Sequence, residues 1–290
     1  MKSTVYLNGK FLPADQASIS AIDMAYLYGY GVFESLRIYD GVPFMLNKHL
    51  SRLSNGAALL GIDRPNLKTI TDVVHELIVR NSHKQARARI TLSMTGLGIV
   101  PTLPEKRYAT LFIATMPIDV PAIEQAQNKG VSAMISRKVR RNMDQLSAIK
   151  TTSQPSGIIA QSEARAAGYD EALLMNEKGM LAEGSFSNVF IARGGILITP
   201  DLKSGILAGI TRGIVITQAK RNGIPVEERQ VKLSESAKAD EMFLTSSIRE
   251  IAPIVELGGK AVGNVKPGAI TKRLLGAYKA LVKKETSAAD

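Results

Sequence analysis

The sequence predicts a mixed α/β (α+β) fold in two domains, and three features of the chain favour this fold. Strand-like apolar runs recur between stretches whose apolar residues fall on one helical face. With 290 residues, the chain can bury one large core or two modest ones. Residues 117–130 carry two prolines and then a polar stretch, which interrupts the pattern. We therefore expect an N-terminal domain at 1–117, a linker and entry segment at 118–130 and a C-terminal domain at 131–290.

The N-terminal domain begins with a predicted β-hairpin. Residues 4–7 and 11–12 flank Asn8 and Gly9, a dipeptide typical of tight hairpin turns. The same domain contains three further predicted strands and two predicted helices. The strands are expected at 32–39, 88–94 and 108–116, and the helices at 47–60 and 66–80. Apolar residues on one face support both helices, and Gly61 ends the first.

The C-terminal domain is predicted to contain more strands. They are expected at 131–136, 170–175, 186–192, 195–199, 224–229, 241–245 and 251–257. Helices are expected at 155–167, 211–222 and 267–284. Gly168 marks the end of the first of these helices.

Composition excludes several classes of site. The chain has no cysteine, so disulfides and thiolate chemistry are impossible. The histidines, His49, His75 and His83, do not cluster with carboxylates at ligand spacing, so no metal is expected. The first residues do not resemble a signal peptide, and no apolar run is long enough to span a bilayer. We expect a cytoplasmic protein without a membrane partner.

The net charge of +11 raises the question of an anionic partner. Part of this charge lies at 136–141 and part at 272–284. Such charge could attract nucleic acid or an anionic substrate. However, lysines and arginines are spread along the whole chain, and aromatic residues make up only 5%, which gives no platform for stacked bases. We interpret the charge as a solvated basic surface and expect no nucleic-acid partner.

Four places in the C-terminal half carry candidate functional groups. Lys150 follows a short apolar stretch, where poor solvation favours a neutral, nucleophilic amine. Glu183 is a lone carboxylate among small residues at the end of a strand. A glycine turn at 207–213 runs into a helix whose free N–H groups could bind an anion. Hydroxyls at 245–247 follow a buried strand. Taken singly, each has an ordinary alternative: a surface lysine, a helix cap or a turn.

Taken together, these groups describe a ligand with three recognisable parts. The ligand has a carbonyl that a lysine can condense with, a phosphate, and a basic ring nitrogen that a carboxylate would keep protonated. Pyridoxal 5′-phosphate fits this description. On this interpretation, Glu183 faces the pyridine nitrogen of the cofactor.

Several motifs in matching order carry a resemblance to a known family. They are Lys150 itself and the stretches 162–171, 181–190 and 209–212. They resemble class IV aminotransferases, the fold-type IV pyridoxal-phosphate enzymes that include branched-chain and D-amino-acid transaminases and aminodeoxychorismate lyase. The resemblance covers nearly the whole chain. It implies a small N-terminal α/β domain, a larger C-terminal domain with a barrel-like β core, the cofactor between them, and a homodimer whose partner subunit helps to close the site.

The resemblance also implies roles for individual residues. Lys150 would be the catalytic, Schiff-base lysine, and Glu183 the partner of the pyridine nitrogen. The residues implied to bind the cofactor phosphate are Arg52, Ile210, Thr211 and Ser247. The role of Arg52 rests on the similarity of 49–53 to the family's phosphate-binding arginine stretch, because the helical pattern alone shows only a polar position.

Three arginines are candidates for binding the substrate carboxylate: Arg37, Arg87 and Arg89. A guanidinium can pair with a carboxylate through two parallel hydrogen bonds. Arg87 and Arg89 alternate on a predicted strand and therefore point to the same face, where a surface ladder is the alternative. Three tyrosines could line an apolar pocket or simply pack the domain: Tyr26, Tyr28 and Tyr30, of which Tyr30 is the candidate substrate residue.

Features that separate the subfamilies point in different directions. The Gly-Leu-Gly-Ile sequence at 96–99 resembles the glycine loop of branched-chain transaminases, and 95–102 lacks the Arg-x-His trap of the D-amino-acid enzymes. Conversely, Pro155 stands where branched-chain enzymes have a tyrosine, and 245–253 resembles the D-amino-acid and lyase groups. We expect a transaminase that moves the amino group of a small amino acid, with L-branched-chain ones favoured, to a 2-oxo acid such as 2-oxoglutarate. The alternatives are a D-amino-acid transaminase, an aminodeoxychorismate lyase that releases pyruvate and 4-aminobenzoate, and a non-catalytic binding protein.

Overall fold

The computed structural model describes residues 3–95 and 108–287. These residues form two compact units, each with its own sheet and core. The first unit contains 3–95, 108–118, 149–154 and 284–287, and the second contains 119–148 and 155–283. Lys150 therefore belongs to the first unit, although its position in the sequence suggested the C-terminal domain. The predicted domain limits at 117 and 131 remain a prediction.

The first unit is built on a six-stranded sheet. In chain order its elements are β1 (Thr4–Leu7), β2 (Lys10–Pro13), α1 (Met24–Tyr28), β3 (Gly31–Tyr39), β4 (Val42–Pro43), α2 (Leu46–Leu59), α3 (Leu67–Asn81), β5 (Ala86–Thr95) and β6 (Tyr108–Pro117). The strand order is β2-β1-β6-β5-β3-β4, and all the pairings are antiparallel. The predicted hairpin, strands and helices of this region are confirmed, with small shifts at their ends.

Alternation along β3 gives the first sheet two different faces. Leu36 and Ile38 are fully buried in the core that α2 and α3 supply with residues such as Leu50 and Val74. Because successive side chains of a strand point to opposite faces, Phe33 and its odd-numbered neighbours lie on the other face. The candidate arginines of β3 and β5 lie on that second face.

The second unit contains the remaining elements. They are α4 (Val120–Lys129), β7 (Val131–Ile135), α5 (Pro155–Ala166), β8 (Glu171–Met175), β9 (Met180–Gly184), β10 (Asn188–Arg193), β11 (Ile196–Thr199), α6 (Ile210–Arg221), β12 (Val226–Glu228), β13 (Val231–Lys232), α7 (Leu233–Ser236), β14 (Glu241–Ser246), β15 (Glu250–Leu257), β16 (Lys260–Ala261) and α8 (Ala269–Ser287). Strand β9 pairs with both β8 and β10, so the path β10-β14-β15-β7-β8-β9 closes on itself. The predicted barrel-like core is confirmed.

The barrel is filled by apolar side chains from its own strands. Leu173, Leu181, Val189, Leu244 and Ile254 belong to one buried cluster. On the opposite faces of these strands, α5 packs on β8 and α6 on β14. Glu183, a candidate site residue on β9, is the cross-strand partner of the outward-facing Leu174 and also faces outward.

The stretch 118–130, expected as a linker, is helical from Val120 to Lys129. The carboxylate of Asp119 accepts a hydrogen bond from the backbone N–H of Ala122 at 3.0 Å and caps the helix. Pro121 lies in the first turn, where a missing N–H costs nothing. Gly130, with φ of 81°, ends the helix. Pro121 thus helps to start a helix, where the sequence analysis interpreted it as a break.

Residues 3–95 and 108–287 lack two kinds of feature. No helix in these ranges combines the length and the apolarity needed to cross a membrane. The same ranges hold no cluster of three His, Asp or Glu side chains placed to bind a metal ion.

Candidate active site

Lys150 lies in a short segment that pairs with the beginning of β3. The N–H of Phe33 donates to the carbonyl of Lys150 at 2.9 Å, and the N–H of Thr152 donates to the carbonyl of Gly31 at 2.8 Å. The amine Nζ of Lys150 lies 4.5 Å from the centroid of the Phe33 ring. The backbone is therefore fixed on both sides of the lysine, and its amine rests on an aromatic face.

Arg89 contacts the same aromatic ring as Lys150. Its guanidinium carbon lies 3.9 Å from the centroid of Phe33, and its Nε donates to Oγ1 of Thr91 at 3.2 Å. Burial, and to a lesser extent the charge of Arg87, lower the pKa of Arg89. A partly desolvated guanidinium beside a second cation is well suited to bind an anion.

The other two candidate arginines have different surroundings. Arg37 and Arg87 are cross-strand partners, so the expected common face of Arg87 and Arg89 also carries Arg37. Arg37 is buried, with its guanidinium carbon 4.5 Å from the Tyr39 ring centroid. Arg87 is exposed, and its Nη2 lies 3.7 Å from the sulfur of Met116. The structure thus brings all three arginines to one face and places only Arg89 beside the ring that holds Lys150.

The three tyrosines also differ. The hydroxyl of Tyr30 donates to the carbonyl of Leu60 at 2.5 Å, and its ring packs against the core of the first unit. Tyr26 and Tyr28 are exposed. Tyr30 therefore packs its own unit, one of the two alternatives, and its contact with substrate remains a prediction.

Arg52 belongs to a buried charge cluster that the sequence analysis missed. Its Nε and Nη2 donate to the two carboxylate oxygens of Glu34 at 2.7 and 2.8 Å. Nδ1 of His49 lies 2.7 Å from Oε2 of Glu34, whose side chain is fully buried. A carboxylate on the apolar face of β3, opposite an arginine of α2, was the signal available in the sequence. The cluster fixes the plane of the Arg52 guanidinium.

Protonation in this cluster follows from its burial. Burial alone would raise the pKa of Glu34, but hydrogen bonds and charges from Arg52 and His49 lower it below its ordinary value. Burial lowers the pKa of His49, although Glu34 opposes the shift, and the charges of Arg52 and Lys150 lower it further. His49 is therefore neutral at neutral pH, and Nδ1 carries its proton because an ionised carboxylate can only accept.

Glu183 is held by three donors in the second unit. Its Oε1 lies 2.8 Å from Nε of Arg141, and its Oε2 accepts from Nδ2 of Asn188 at 3.2 Å and from the N–H of Leu207 at 3.1 Å. The guanidinium stabilises the ionised carboxylate. Arg141 is part of the basic stretch interpreted as solvated surface, and for this residue the interpretation is wrong, because the side chain is mostly buried against Glu183.

The Glu183 carboxylate and the hydroxyl-bearing Thr245 lie near each other on the outer side of the barrel. Asn188 pairs across strands with Glu183 on one side and with Thr245 on the other. Oγ1 of Thr245 is buried and has no hydrogen-bond partner within the described parts of the chain. Buried hydroxyls are normally satisfied, so the Thr245 hydroxyl is available to a bound polar group.

Helix α6 begins beside the same residues. Gly209 is its N-cap, without a side-chain cap, and Ile210 and Thr211 are its first two residues. Thr211 is thus inside the helix, so the alternative of a Thr N-cap is wrong. A Cβ at position 209 would collide with Oδ1 of Asn188. Only glycine allows the chain to approach this closely and leaves the first N–H groups of the helix available to an anion.

Ser247 and two subfamily markers complete the predicted set. Ser247 is half-buried in the turn after β14, the strand on which α6 packs. Pro155 is the first residue of α5. The glycine loop at 96–99, and the part of 95–102 beyond Thr95, lie outside the described residues.

Comparison with known families identifies the family of this chain. A family model described as amino-transferase class IV matches residues 31–257. The chain belongs to the class IV aminotransferases. It is therefore a pyridoxal-phosphate-dependent enzyme, as expected for this family. The family resemblance expected from the motifs is confirmed.

Curated class IV relatives cover nearly the whole chain. A putative branched-chain-amino-acid aminotransferase of Methanocaldococcus jannaschii is 38% identical over 95% of both chains. A D-alanine aminotransferase of Bacillus licheniformis is 30% identical over 98% of both chains. An aminodeoxychorismate lyase of Bacillus subtilis is 31% identical over 96% of this chain and 94% of its own.

Solved structures of class IV enzymes share the fold. Escherichia coli branched-chain amino acid aminotransferase superposes with a TM-score of 0.92 at 28% identity, over 97% of this chain and 95% of its own. The T.th. branched-chain amino acid aminotransferase, solved with pyridoxamine 5′-phosphate, has a TM-score of 0.88 at 29% identity, over 96% of this chain and 93% of its own. The predicted fold class is confirmed.

The second unit fits the cofactor of the family. A phosphate needs N–H and hydroxyl donors, and α6, which packs on β14, offers an uncapped N-terminus on the side of the barrel that carries the unpartnered hydroxyl of Thr245. A ring nitrogen needs a carboxylate, and that of Glu183 is held 2.8 Å from the guanidinium Nε of Arg141. Both features lie on the same side of the barrel.

The Glu34–His49–Arg52 cluster predicts a pH-dependent stability. The ordinary pKa of histidine is 6.5 and that of folded His49 is lower. Below about pH 6.5 the unfolded chain therefore binds a proton that the folded chain does not, so the free energy of unfolding falls as pH falls. The Glu34 pKa is also depressed, and its contribution is lost only at more acid pH, as pH falls through the folded value.

We expect His49→Gln to flatten the loss of stability between pH 7 and pH 5, measured by urea denaturation of the cofactor-free protein. One such group contributes up to about 1.4 kcal/mol per pH unit. Some slope remains, because burial also lowers the pKa of His83. His75→Gln, at an exposed position of α3, is the control and should keep the wild-type slope. An unchanged slope in His49→Gln would contradict the prediction.

Proposed function

We propose that this enzyme transfers the amino group of an L-branched-chain amino acid to a 2-oxo acid such as 2-oxoglutarate. The observation that supports an α-amino acid as substrate is the contact of Lys150 and Arg89 with one Phe33 ring. This arrangement places an amine near a guanidinium that suits a carboxylate. The preference for branched-chain substrates is supported by the 38% identical relative, which is named as a putative branched-chain enzyme.

Lys150 is proposed as the catalytic residue and as the covalent anchor of the cofactor. When bound, pyridoxal phosphate supplies a ring that takes up the electron pair released at the substrate α-carbon. The lysine amine takes the proton from that carbon and later returns a proton. Its backbone hydrogen bonds to β3 and the Phe33 ring hold the amine in place during these transfers.

The remaining cofactor residues are proposed to hold the two ends of the cofactor. Glu183, fixed by Arg141, would keep the ring nitrogen protonated, which strengthens the electron-withdrawing ring. The N–H groups of Ile210 and Thr211 and the hydroxyl of Ser247 would donate to the phosphate. Arg52, whose plane is set by Glu34, would add a positive charge at the same group.

Among the three candidate arginines, we assign the substrate carboxylate to Arg89. It is the arginine that contacts the ring on which Lys150 rests, and it is partly desolvated. Arg37 is buried against Tyr39, and Arg87 is exposed farther along the strand. Arg37 and Arg87 would contribute positive charge near the site rather than a direct contact with the substrate carboxylate.

We propose that the enzyme is a homodimer. Residues 19–28 expose five large apolar side chains: Ile19, Ile22, Tyr26, Leu27 and Tyr28. Monomers rarely leave such a cluster in water. A second copy of the chain is the partner that the family resemblance implies.

Lys150→Ala should lose the bound-cofactor absorbance after dialysis, and its turnover should fall by at least roughly 10²-fold, because both the anchor and the proton-transferring group are gone. Lys48→Ala, which removes an exposed lysine of α2, is the matched control and should retain both properties. Normal turnover in Lys150→Ala would remove this residue from the mechanism.

A half-reaction screen tests the substrate. Purified protein is mixed in turn with L-leucine, L-valine, D-alanine and D-glutamate, and the absorbance of the bound cofactor is followed. We expect a rapid change with L-leucine and L-valine. A response to D-amino acids alone would favour the D-amino-acid activity of the 30% identical relative. Pyruvate release from aminodeoxychorismate without a 2-oxo acid would favour the lyase activity.

Sedimentation equilibrium should give a mass of twice 31.3 kDa. Tyr26→Asp combined with Leu27→Asp should shift the protein toward the monomer, because each change puts a charge into the apolar cluster. Val79→Asp, at an exposed apolar position of α3, should leave the mass unchanged. A monomeric wild type would contradict the homodimer.

A further inference from the structure

Glu171, the first residue of β8, is a fully buried carboxylate outside the set of cofactor residues discussed above. Its Oε1 accepts from the N–H of Ala172 at 3.1 Å, from the N–H of Ser185 at 3.3 Å and from the hydroxyl of Ser185. Its Oε2 accepts from Nη2 of Arg249 at 2.6 Å. The two oxygens therefore bind two segments that are far apart in the sequence.

Each of these segments carries a proposed cofactor residue. Ser185 comes two residues after Glu183, and Arg249 comes two residues after Ser247. We propose that Glu171 is a positioning residue that ties the ring-nitrogen end and the phosphate end of the cofactor site to each other. This inference rests on the proposed roles of Glu183 and Ser247.

The phosphate end is a turn that several side chains hold in place. The hydroxyl of Ser246 accepts from the N–H of Arg249 at 3.2 Å. Nε2 of Gln127, on α4, donates to the carbonyl of Arg249 at 3.2 Å and to Oε2 of Glu250 at 2.9 Å. Glu250 has a φ of 60°, a left-handed conformation that a residue with a side chain rarely adopts. Such a conformation persists only where its surroundings determine it.

The ring-nitrogen end is a tight turn at 184–187. The N–H of Gly184 donates to the carbonyl of Ser187 at 2.6 Å, and a Cβ at Gly184 would collide with Oγ of Ser187. The N–H of Ser185 donates to the carbonyl of Ala172 at 2.9 Å and also contacts Oε1 of Glu171 at 3.3 Å. Its hydroxyl contacts Oε1 of Glu171 and lies 2.8 Å from Oε1 of Gln161. The carboxylate that binds Arg249 is therefore one of the contacts that hold this turn on the barrel.

A gain in folding stability does not by itself explain the ion pair between Glu171 and Arg249. Taking a carboxylate and a guanidinium out of water costs free energy that their attraction often fails to recover, and apolar replacements are often neutral or stabilising. The ion pair instead fixes the position of the Arg249 side chain, because its guanidinium lies 2.6 Å from a carboxylate oxygen of Glu171. Glu171 therefore acts through Ser185 and Arg249.

The experiment compares two ligands of the cofactor-free full-length enzyme: pyridoxal 5′-phosphate and pyridoxal, which lacks the phosphate. Dissociation constants for both are measured by absorbance titration. Glu171→Gln should weaken the phosphate ester by roughly tenfold to a hundredfold, because a charge-assisted hydrogen bond is lost at a buried site. It should weaken pyridoxal too, but by a smaller factor.

Two further variants separate the two ends. Arg249→Met releases only the phosphate end and should weaken pyridoxal 5′-phosphate while leaving pyridoxal at its wild-type dissociation constant. Ser185→Ala loosens only the ring-nitrogen end and should weaken both ligands by the same factor. If Glu171→Gln fails to fold because Arg249 is left without its partner, the double variant Glu171→Gln/Arg249→Met removes both charges and takes its place.

Asp170→Asn is the matched control. Asp170 is the exposed neighbour of Glu171, and its Oδ2 accepts from the N–H and the hydroxyl of Ser132 at 2.8 and 2.9 Å. These bonds lead to β7 and to neither turn. This variant should therefore keep both dissociation constants at their wild-type values.

Ser247→Ala makes the outcomes distinguishable. If Ser247→Ala loses affinity for the phosphate ester while Glu171→Gln, or the double variant, keeps the wild-type ratio of the two dissociation constants, the positioning role is overturned. A lowered melting temperature with an unchanged ratio would overturn it as well, because it would show a purely structural carboxylate. If Ser247→Ala itself keeps the wild-type ratio, the proposed phosphate role of Ser247 fails.

Discussion

The backbone pairing of Glu183 with Asn188 is the contact on which the second unit depends. It joins β9 to β10 and so closes six strands into a barrel. The same pairing places the Glu183 carboxylate beside the Asn188 amide, which also bonds to the carbonyl of Leu207 just before α6. The pairing that closes the barrel therefore also assembles this unit's part of the candidate site. A register shift of one residue would turn the Glu183 side chain to the other face of the sheet.

Buried carboxylates paired with arginines recur in both units. Glu34 pairs with Arg52, Glu183 with Arg141 and Glu171 with Arg249. A buried charge is tolerated where its hydrogen bonds are satisfied, and such pairs fix orientation more than they add stability. In the first two pairs, Arg52 and Glu183 are themselves proposed cofactor residues. In the third pair, Arg249 lies two residues after Ser247, another proposed cofactor residue. These charges place groups that we propose to bind the cofactor.

Local patterns in the sequence were enough for the strands and helices and for the choice of Lys150 and Glu183 as candidates. Apolar periodicity is a local property, and an unusual residue in a small-residue or apolar context can be recognised without its partners. The partners could not be found this way, because Glu171 and Arg249 lie 78 residues apart and only the barrel brings them together. Arg141 was misinterpreted for the same reason: a basic stretch gives no sign of which member will be buried. The helix within the stretch expected as a linker and entry segment, 118–130, was missed on a local point, since Pro121 in a first turn begins a helix as readily as it breaks one.

The close approach of Gly209 to Asn188 limits how this enzyme can vary. A side chain at 209 has no room unless the amide at 188 shrinks or turns away, and that amide also bonds to Glu183 and Leu207. The two positions can therefore change only together, and an intermediate with one change alone loses either the helix start or the carboxylate's neighbour. We therefore expect single substitutions at either position to be rare among natural variants and in random libraries. This holds although neither residue takes part in the proposed chemistry.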